Sequence, residues 1–232
     1  MRGGWQILVY LTLVTLPAAS RAQAASQPAS SSSKRTKPSV AFAEPIEADA
    51  VTNGAYHNRS LGLSCKIPEG WVLRTDEMNT RDVERKEEKE DKAEPAPSQA
   101  PPASSAGAKV LLAAFSRPPE AKGEDVNSSI LIAAESASSY PGLKEAGQYF
   151  APLIEVAKGQ GFAMDEDPYD IAIGSKTLVR ADFHKDVGSR VMRQSTLVFL
   201  SHGYAVSITV IAGTDDDVED LVDGISFSAT AK

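Results

Sequence analysis

The stretch from Val191 to Ala212 constrains the fold of this chain more than any other. Met192, Gln194, Thr196, Val198 and Leu200 alternate with Val191, Arg193, Ser195, Leu197 and Phe199. After Ser201-His202-Gly203 the alternation resumes, with Tyr204, Val206, Ile208 and Val210 opposite Ala205, Ser207, Thr209 and Ile211. A period of two in β-branched and aromatic residues, interrupted by a short glycine-containing turn, predicts a β-hairpin. Both faces of each arm carry apolar side chains, so the hairpin belongs in the middle of its sheet, covered on both sides.

The residues before the hairpin supply its neighbours. Leu61, Leu63, Cys65 and Ile67 alternate with Gly62, Ser64 and Lys66, which predicts a half-buried strand over 61–67. Pro68-Glu69-Gly70 reads as a turn, and Trp71-Val72-Leu73 starts the next strand. The apolar runs Val110–Phe115 and Ser129–Ser136 have the length of buried strands and are natural neighbours. Leu143, Ala146, Phe150, Leu153 or Ile154, and Ala157 recur at helical spacing, which predicts the main helix over 141–159. Pro152 lies inside that pattern and is expected to kink or split it. Phe162–Met164, Tyr169–Ile173 and Thr177–Lys185 then read as a meander leading into the hairpin. Near the end, Thr214 followed by Asp217 predicts a capped helix start, with Asp215, Asp216 and Asp217 at the positive end of the helix dipole. Val218, Leu221 and Val222 form its inner face, and Ile225–Ser228 follows as an edge strand or extended tail.

Other stretches lack the composition of a core. A basic start and an apolar run, Trp5–Leu16, precede Ala22-Gln23-Ala24, and together they read as a Sec-type signal peptide over 1–24, cleaved after Ala24. The run has about a dozen apolar residues, short for a membrane span, so no stable membrane insertion is expected after cleavage. The expected location is therefore exported, periplasmic or extracellular. Residues 25–54 read as a flexible linker, Ser/Ala/Pro-rich at first, with a lead-in or short helix near its end. The single domain is placed at 55–228. It carries an insertion at 82–107, charged and then Pro/Ala/Ser-rich, which reads as a solvated loop, partly helical in its first half. Setting these segments aside leaves roughly 150 residues, enough for one core.

The formal net charge is −7. Cleavage after Ala24 removes Arg2 and Arg21 and no acid, which makes it −9. Such a balance disfavours nucleic acid as a partner. A lone cysteine, Cys65, excludes an internal disulfide and a Cys-based metal cluster, and its place in an apolar alternation fits a small buried hydrophobe. Asp165, Asp167 and Asp170 are spaced like a calcium loop, but Ile171 stands where such a loop needs glycine. Gly142–Gly147 has phosphate-loop spacing, with Gln148 and Tyr149 in place of the Lys and Ser/Thr that would hold phosphate and magnesium. No Gly-x-Ser-x-Gly elbow and no zinc-type histidine pair occurs. No cofactor, metal or catalytic residue is assigned.

The candidate binding residues are Trp71, Arg180, Asp182, His184 and Arg193. Asp182 and His184 share one face of a strand and make the best acid–imidazole pair available. Arg180 and Arg193 suit a groove for an anionic group. Trp71, the one tryptophan beyond the leader, suits either core packing or a stacking platform.

The order of motifs resembles a known family. Tyr56-x-Asn58, Leu61-Gly62-Leu63-Ser64 and Ile67-Pro68-Glu69-Gly70-Trp71 open the domain. Gly203-Tyr204-Ala205-Val206-Ser207-Ile208, the acid-capped helix and Ile225-Ser226-Phe227 close it. This pattern, over about Ala55–Phe227, is similar to the PsbP/Mog-like proteins, which include photosystem extrinsic subunits and many small exported bacterial proteins. The resemblance implies an α+β fold, an antiparallel β-sheet flanked by helices in an α/β/α sandwich, and binding or assembly without catalysis. The expected function is therefore an exported, non-enzymatic module that docks on an envelope or extracellular protein or a small ligand. Two alternatives stand beside it: a stress or assembly factor acting through its disordered arms, and a hydrolase of unfamiliar type using Asp182 and His184.

Overall fold

The computed structural model describes residues 46, 50–80, 108–121, 123 and 125–228. The leader at 1–24, the tether at 25–39 and the insertion at 82–107 lie outside these residues. Two antiparallel sheets and a few helices make an α+β fold.

The hairpin is formed as its alternation requires. Strands β10 (Arg190–Ser201) and β11 (Tyr204–Ala212) pair from Arg193↔Ala212 to Ser201↔Tyr204. Between them His202 and Gly203 have φ of 52° and 78°, the backbone of a two-residue type I′ turn. Around the hairpin lie β4 (Val72–Leu73), β5 (Lys109–Phe115), β6 (Ser129–Ser136), β7 (Ala163–Met164) and β9 (Lys176–Val187). Their order is β4-β5-β6-β11-β10-β9-β7, and β8 (Tyr169–Ile173) also pairs with β9, giving an eight-stranded sheet. The predicted neighbours β5 and β6 are adjacent.

Alternate residues of this sheet enter different cores. Leu197, Phe199, Val206, Ile208 and Val210 face one way, into a cluster with Tyr56, Leu63, Cys65, Val218, Leu221 and Ile225. Val198, Ala205 and Ile211 face the other way, against Tyr149, Phe150 and Ala157. The first face is covered by a smaller four-stranded sheet, ordered β1 (Val51–Thr52), β2 (Ala55–Asn58), β3 (Leu63–Lys66) and β12 (Ile225–Phe227), together with helix α3 (Asp215–Asp223). The second face is covered by a 3-10 turn (Ala146–Tyr149) and helix α2 (Phe150–Gly159). Helix α1, described over 75–80, packs Met78 on a third cluster of Val110, Ala113, Phe115 and Leu131.

The last strand is an edge strand, as its sequence predicts, and the sheet it closes is the smaller one, where it pairs with β3. Its entry is fixed by Lys66, whose amide donates to the Gly224 carbonyl at 2.9 Å. Pairing also starts ahead of the Ala55 boundary: β1 lies in the stretch read as linker and joins β2 through Asn53 and Gly54, at φ of 53° and 72°. Ile46, earlier still, is buried in the main core. Finally, Pro152 neither kinks nor splits a helix. The α-helix begins only at Phe150, so Pro152 falls in its first turn, where a backbone N–H has no intrahelical acceptor. The apolar stripe from Leu143 to Ala157 still faces the core.

Lys176 marks the seam between the sheets. Its Nζ lies 4.2 Å from the ring centroid of Phe199 and 5.0 Å from that of Phe227, and these rings meet edge to face at 5.2 Å. Burial lowers the pKa of this amine.

Cys65 is fully buried in the main core, and burial pushes its thiol pKa up to about 12. The folded state therefore favours the neutral thiol. This stabilising contribution is complete below the ordinary value of 9 and is lost as pH rises from 9 toward about 12. Iodoacetamide should modify Cys65 only as fast as the chain unfolds, with alkylation and loss of tryptophan fluorescence sharing one denaturant midpoint. Stoichiometric labelling of the native protein would contradict this burial.

Candidate functional site

The period of β9 places Arg180, Asp182 and His184 on one face, the face that carries α3. The pairings that follow differ from those the spacing suggests. Arg180 is 8% exposed and donates through Nε to Asp182 Oδ1 at 2.9 Å. Its Nη1 donates to Glu219 Oε2 of α3 at 3.1 Å, and its Nη2 to Glu219 Oε1. The arginine thus grips a carboxylate on the helix with both terminal nitrogens and one on its own strand with the third. Asp182 Oδ2 accepts from the Tyr169 hydroxyl of β8 at 2.7 Å.

Each group is tuned by these contacts. Burial pulls the Arg180 pKa down, and the hydrogen bonds to Glu219 and Asp182 outweigh it, so the guanidinium is held charged above its usual value. Burial raises the Tyr169 phenol, and its bond to Asp182 raises it further, which keeps it protonated as a donor.

His184 has another partner. Its Nδ1 is hydrogen-bonded to Asp165 Oδ1, from the turn after β7, and the Asp165 amide donates to the Asp182 carbonyl at 2.9 Å. Arg193, opposite His184 on β10, places Nη1 3.9 Å from Asp165 Oδ2 and Nε 3.3 Å from Asp215 Oδ1 in the first turn of α3. Among the described residues the imidazole of His184 thus pairs with Asp165, while the carboxylate of Asp182 bonds to Arg180 and Tyr169. Arg180, Asp182, His184 and Arg193 do share one polar strip, which ends in three side chains about one third exposed: His184 at 36%, Asp165 at 34% and Arg193 at 31%.

Trp71 lies elsewhere. It packs on the main core beside β4, the far edge strand, and β5, β6, β11 and β10 separate it from β9.

Sequence spacing gave no access to several residues of the strip. Asp165, Tyr169 and Glu219 come from separate elements and meet Arg180 and His184 through strand register and the packing of α3. Ser195 stands opposite Asp182 on β10, fully buried, with no hydrogen-bond partner for its Oγ among the described residues. Its burial denies a substrate access to that hydroxyl. On the other face of the sheet, buried Glu135 accepts at Oε2 from Tyr140 at 2.8 Å and Tyr149 at 2.7 Å, which ties the segment after β6 down to the sheet. On the outer side of the small sheet, His57 Nδ1 lies 2.9 Å from Ser64 Oγ, a pair made by cross-strand register. Among the described residues no group of three or more His, Cys, Asp or Glu side chains is placed to hold a metal ion. No described helix is long and apolar enough to cross a membrane.

Removing the cation at the centre of the strip leaves two carboxylates facing each other. Arg180→Met should cost about 3 kcal/mol in denaturant unfolding, the low end for a broken buried pair because Glu219 is half exposed. Adding Asp182→Asn and Glu219→Gln should restore part of the loss. His184→Ala, at the exposed end, should cost no more than about 1 kcal/mol. Equal losses for Arg180→Met and His184→Ala would contradict this ranking.

No family model matches the chain, and no curated protein matches it. Solved structures do. Cyanobacterial PsbP (CyanoP) from Synechocystis is similar at 13% identity, with 78% of this chain and 98% of that one covered and a TM-score of 0.38. A mutant of the protein Mog1 matches at 12% identity over 75% and 85% of the two chains, with a TM-score of 0.36. LpqN, described as involved in cell envelope biogenesis of Mycobacterium tuberculosis, matches at 15% identity over 72% and 83%, with a TM-score of 0.34.

Proposed function

We propose that this chain is an exported, non-catalytic binding or assembly module that docks on an envelope or extracellular protein through the exposed end of the polar strip. The carrying observation is the way charge is used in the strip. Arg180, Asp182 and Tyr169 are each held by fixed partners, and the His184–Asp165–Arg193 end is presented at the surface from two adjacent strands and the turn after β7. A general acid or base must exchange its proton with a substrate, and groups committed to internal ion pairs are poorly suited to that. Groups fixed in place and partly solvated suit recognition, because their side-chain entropy is already lost before a partner arrives. Export rests on the leader pattern over 1–24.

Photo-crosslinking tests the docking face. A benzophenone side chain at position 184 of the exported protein should capture one dominant envelope partner. The same probe at Lys66, on the outer side of the small sheet, should not. Arg193→Gln should weaken capture from position 184 at least tenfold, at a stability cost of no more than about 1 kcal/mol for its partly exposed ion pairs. Capture of equal strength from both positions, or undiminished capture in a folded Arg193→Gln, would overturn the assignment of this face. A mature mass that retains residues 1–24 would overturn export.

A further inference from the structure

Strand β5 has seven residues, yet β4 pairs only with the last two, Ala114 and Phe115. The rest of its outer edge would present free N–H and C=O groups, the usual template for adding another strand. Arg74, just before helix α1, closes part of it with its backbone, and α1 closes more with side chains. The Arg74 amide donates to the Ala113 carbonyl at 2.8 Å, and the Ala113 amide donates to Thr75 Oγ1 at 3.0 Å. One turn on, Asn79 meets Val110 twice. The Val110 amide donates to Asn79 Oδ1 at 3.0 Å, and Asn79 Nδ2 donates to the Val110 carbonyl at 3.0 Å. Thr75 and Asn79 are four apart, so one face of the helix presents both.

A primary amide carries the same donor and acceptor as a peptide group. In an antiparallel ladder, a hydrogen-bonded pair of residues exchanges two N–H···O bonds. Asn79 exchanges that same pair with Val110, so it occupies the place of the missing strand. We infer that Asn79 keeps the β5 edge closed against strand addition by a second copy of this chain.

Three observations make a second copy the occupant that is excluded. Residues 110–115, Val-Leu-Leu-Ala-Ala-Phe, are uncharged, wholly apolar and free of proline and glycine. An antiparallel β5–β5 pair about a two-fold axis is self-complementary, so one surface serves both partners. The one charge on the strand, Lys109, is turned to other use, since its Nζ donates to the Ile46 carbonyl at 2.9 Å. A lysine that would otherwise guard the edge is thus engaged elsewhere, and the guard is the amide.

Asn79→Leu keeps the branched four-atom shape and removes both hydrogen bonds; Asn79→Asp removes the donor and leaves a charge at the edge. Exchange of the Val110 amide, read by NMR or mass spectrometry, should quicken about tenfold or more in Asn79→Leu. Sedimentation should show an added association step for Asn79→Leu at high micromolar concentration, absent from the native chain and from Asn79→Asp. If Asn79→Leu does not fold, Thr75→Val carries the test, with exchange read at the Ala113 amide and association read in the same way. A folded variant that stays as the native chain in both measurements would overturn the inference. So would equal association of the Leu and Asp variants, which would assign it to general loosening.

Discussion

A sheet whose central hairpin is apolar on both faces is stable only when both faces are covered. This chain covers them with different structures. Leu197, Phe199, Ile208 and Val210 are roofed by a small sheet and α3, while Val198, Ala205 and Ile211 are roofed by a 3-10 turn and α2. Each roof must be delivered by chain that enters or leaves the large sheet. The N-terminal strands and the C-terminal strand therefore meet in one small sheet, β12 against β3, although most of the domain lies between them in sequence. The burial of β10 and β11 thus dictates where both ends of the folded unit must lie.

The polar strip follows from the same layering. Beyond Leu178 the α3-facing side of β9 turns polar, at Arg180, Asp182 and His184. A buried guanidinium without partners would be costly. Glu219 arrives from α3 and Asp182 from the strand itself, so the cation that needs compensation also fastens the helix to the sheet. The orientation of α3 is assisted at its start, where Thr214 caps the Asp217 amide at 3.1 Å and Arg193 reaches Asp215. Charge here works mainly as a positional constraint, and only its outer end is offered to solvent.

What could be read from the sequence follows the range over which each signal acts. The hairpin, β6, β8 and the capped start of α3 were legible because period and capping are local. So was the shared face of Arg180, Asp182 and His184, which needs only alternate spacing. The partner of His184 was not legible, because Asp165 is brought to it by the β7–β9 pairing and the turn that follows β7. Pro152 was misread for a related reason: its effect depends on where the helix starts, and the chain between Gly142, at φ of 92°, and Tyr149 is not α-helical. The Asn53-Gly54 turn was a local signal overlooked, since composition marked those residues as linker.

The two edges of the large sheet share a design that bears on where a partner can bind. Beyond β9 lie two short strands, β8 and β7, with the intervening turn tied to β9 by Asp165. Beyond β5 lie two residues of β4 and the side chains of α1. Both edges end in short strands, and along β5 the side chains of α1 stand in for a further strand, a known protection against unwanted pairing. With both faces roofed and the edges ending in short strands, the large sheet offers only short runs of backbone among the described residues. Recognition then falls to side chains at the margins of the layers, where strands and helix ends converge. The His184–Asp165–Arg193 corner, built by β9, β10 and the turn after β7 against the start of α3, is such a margin.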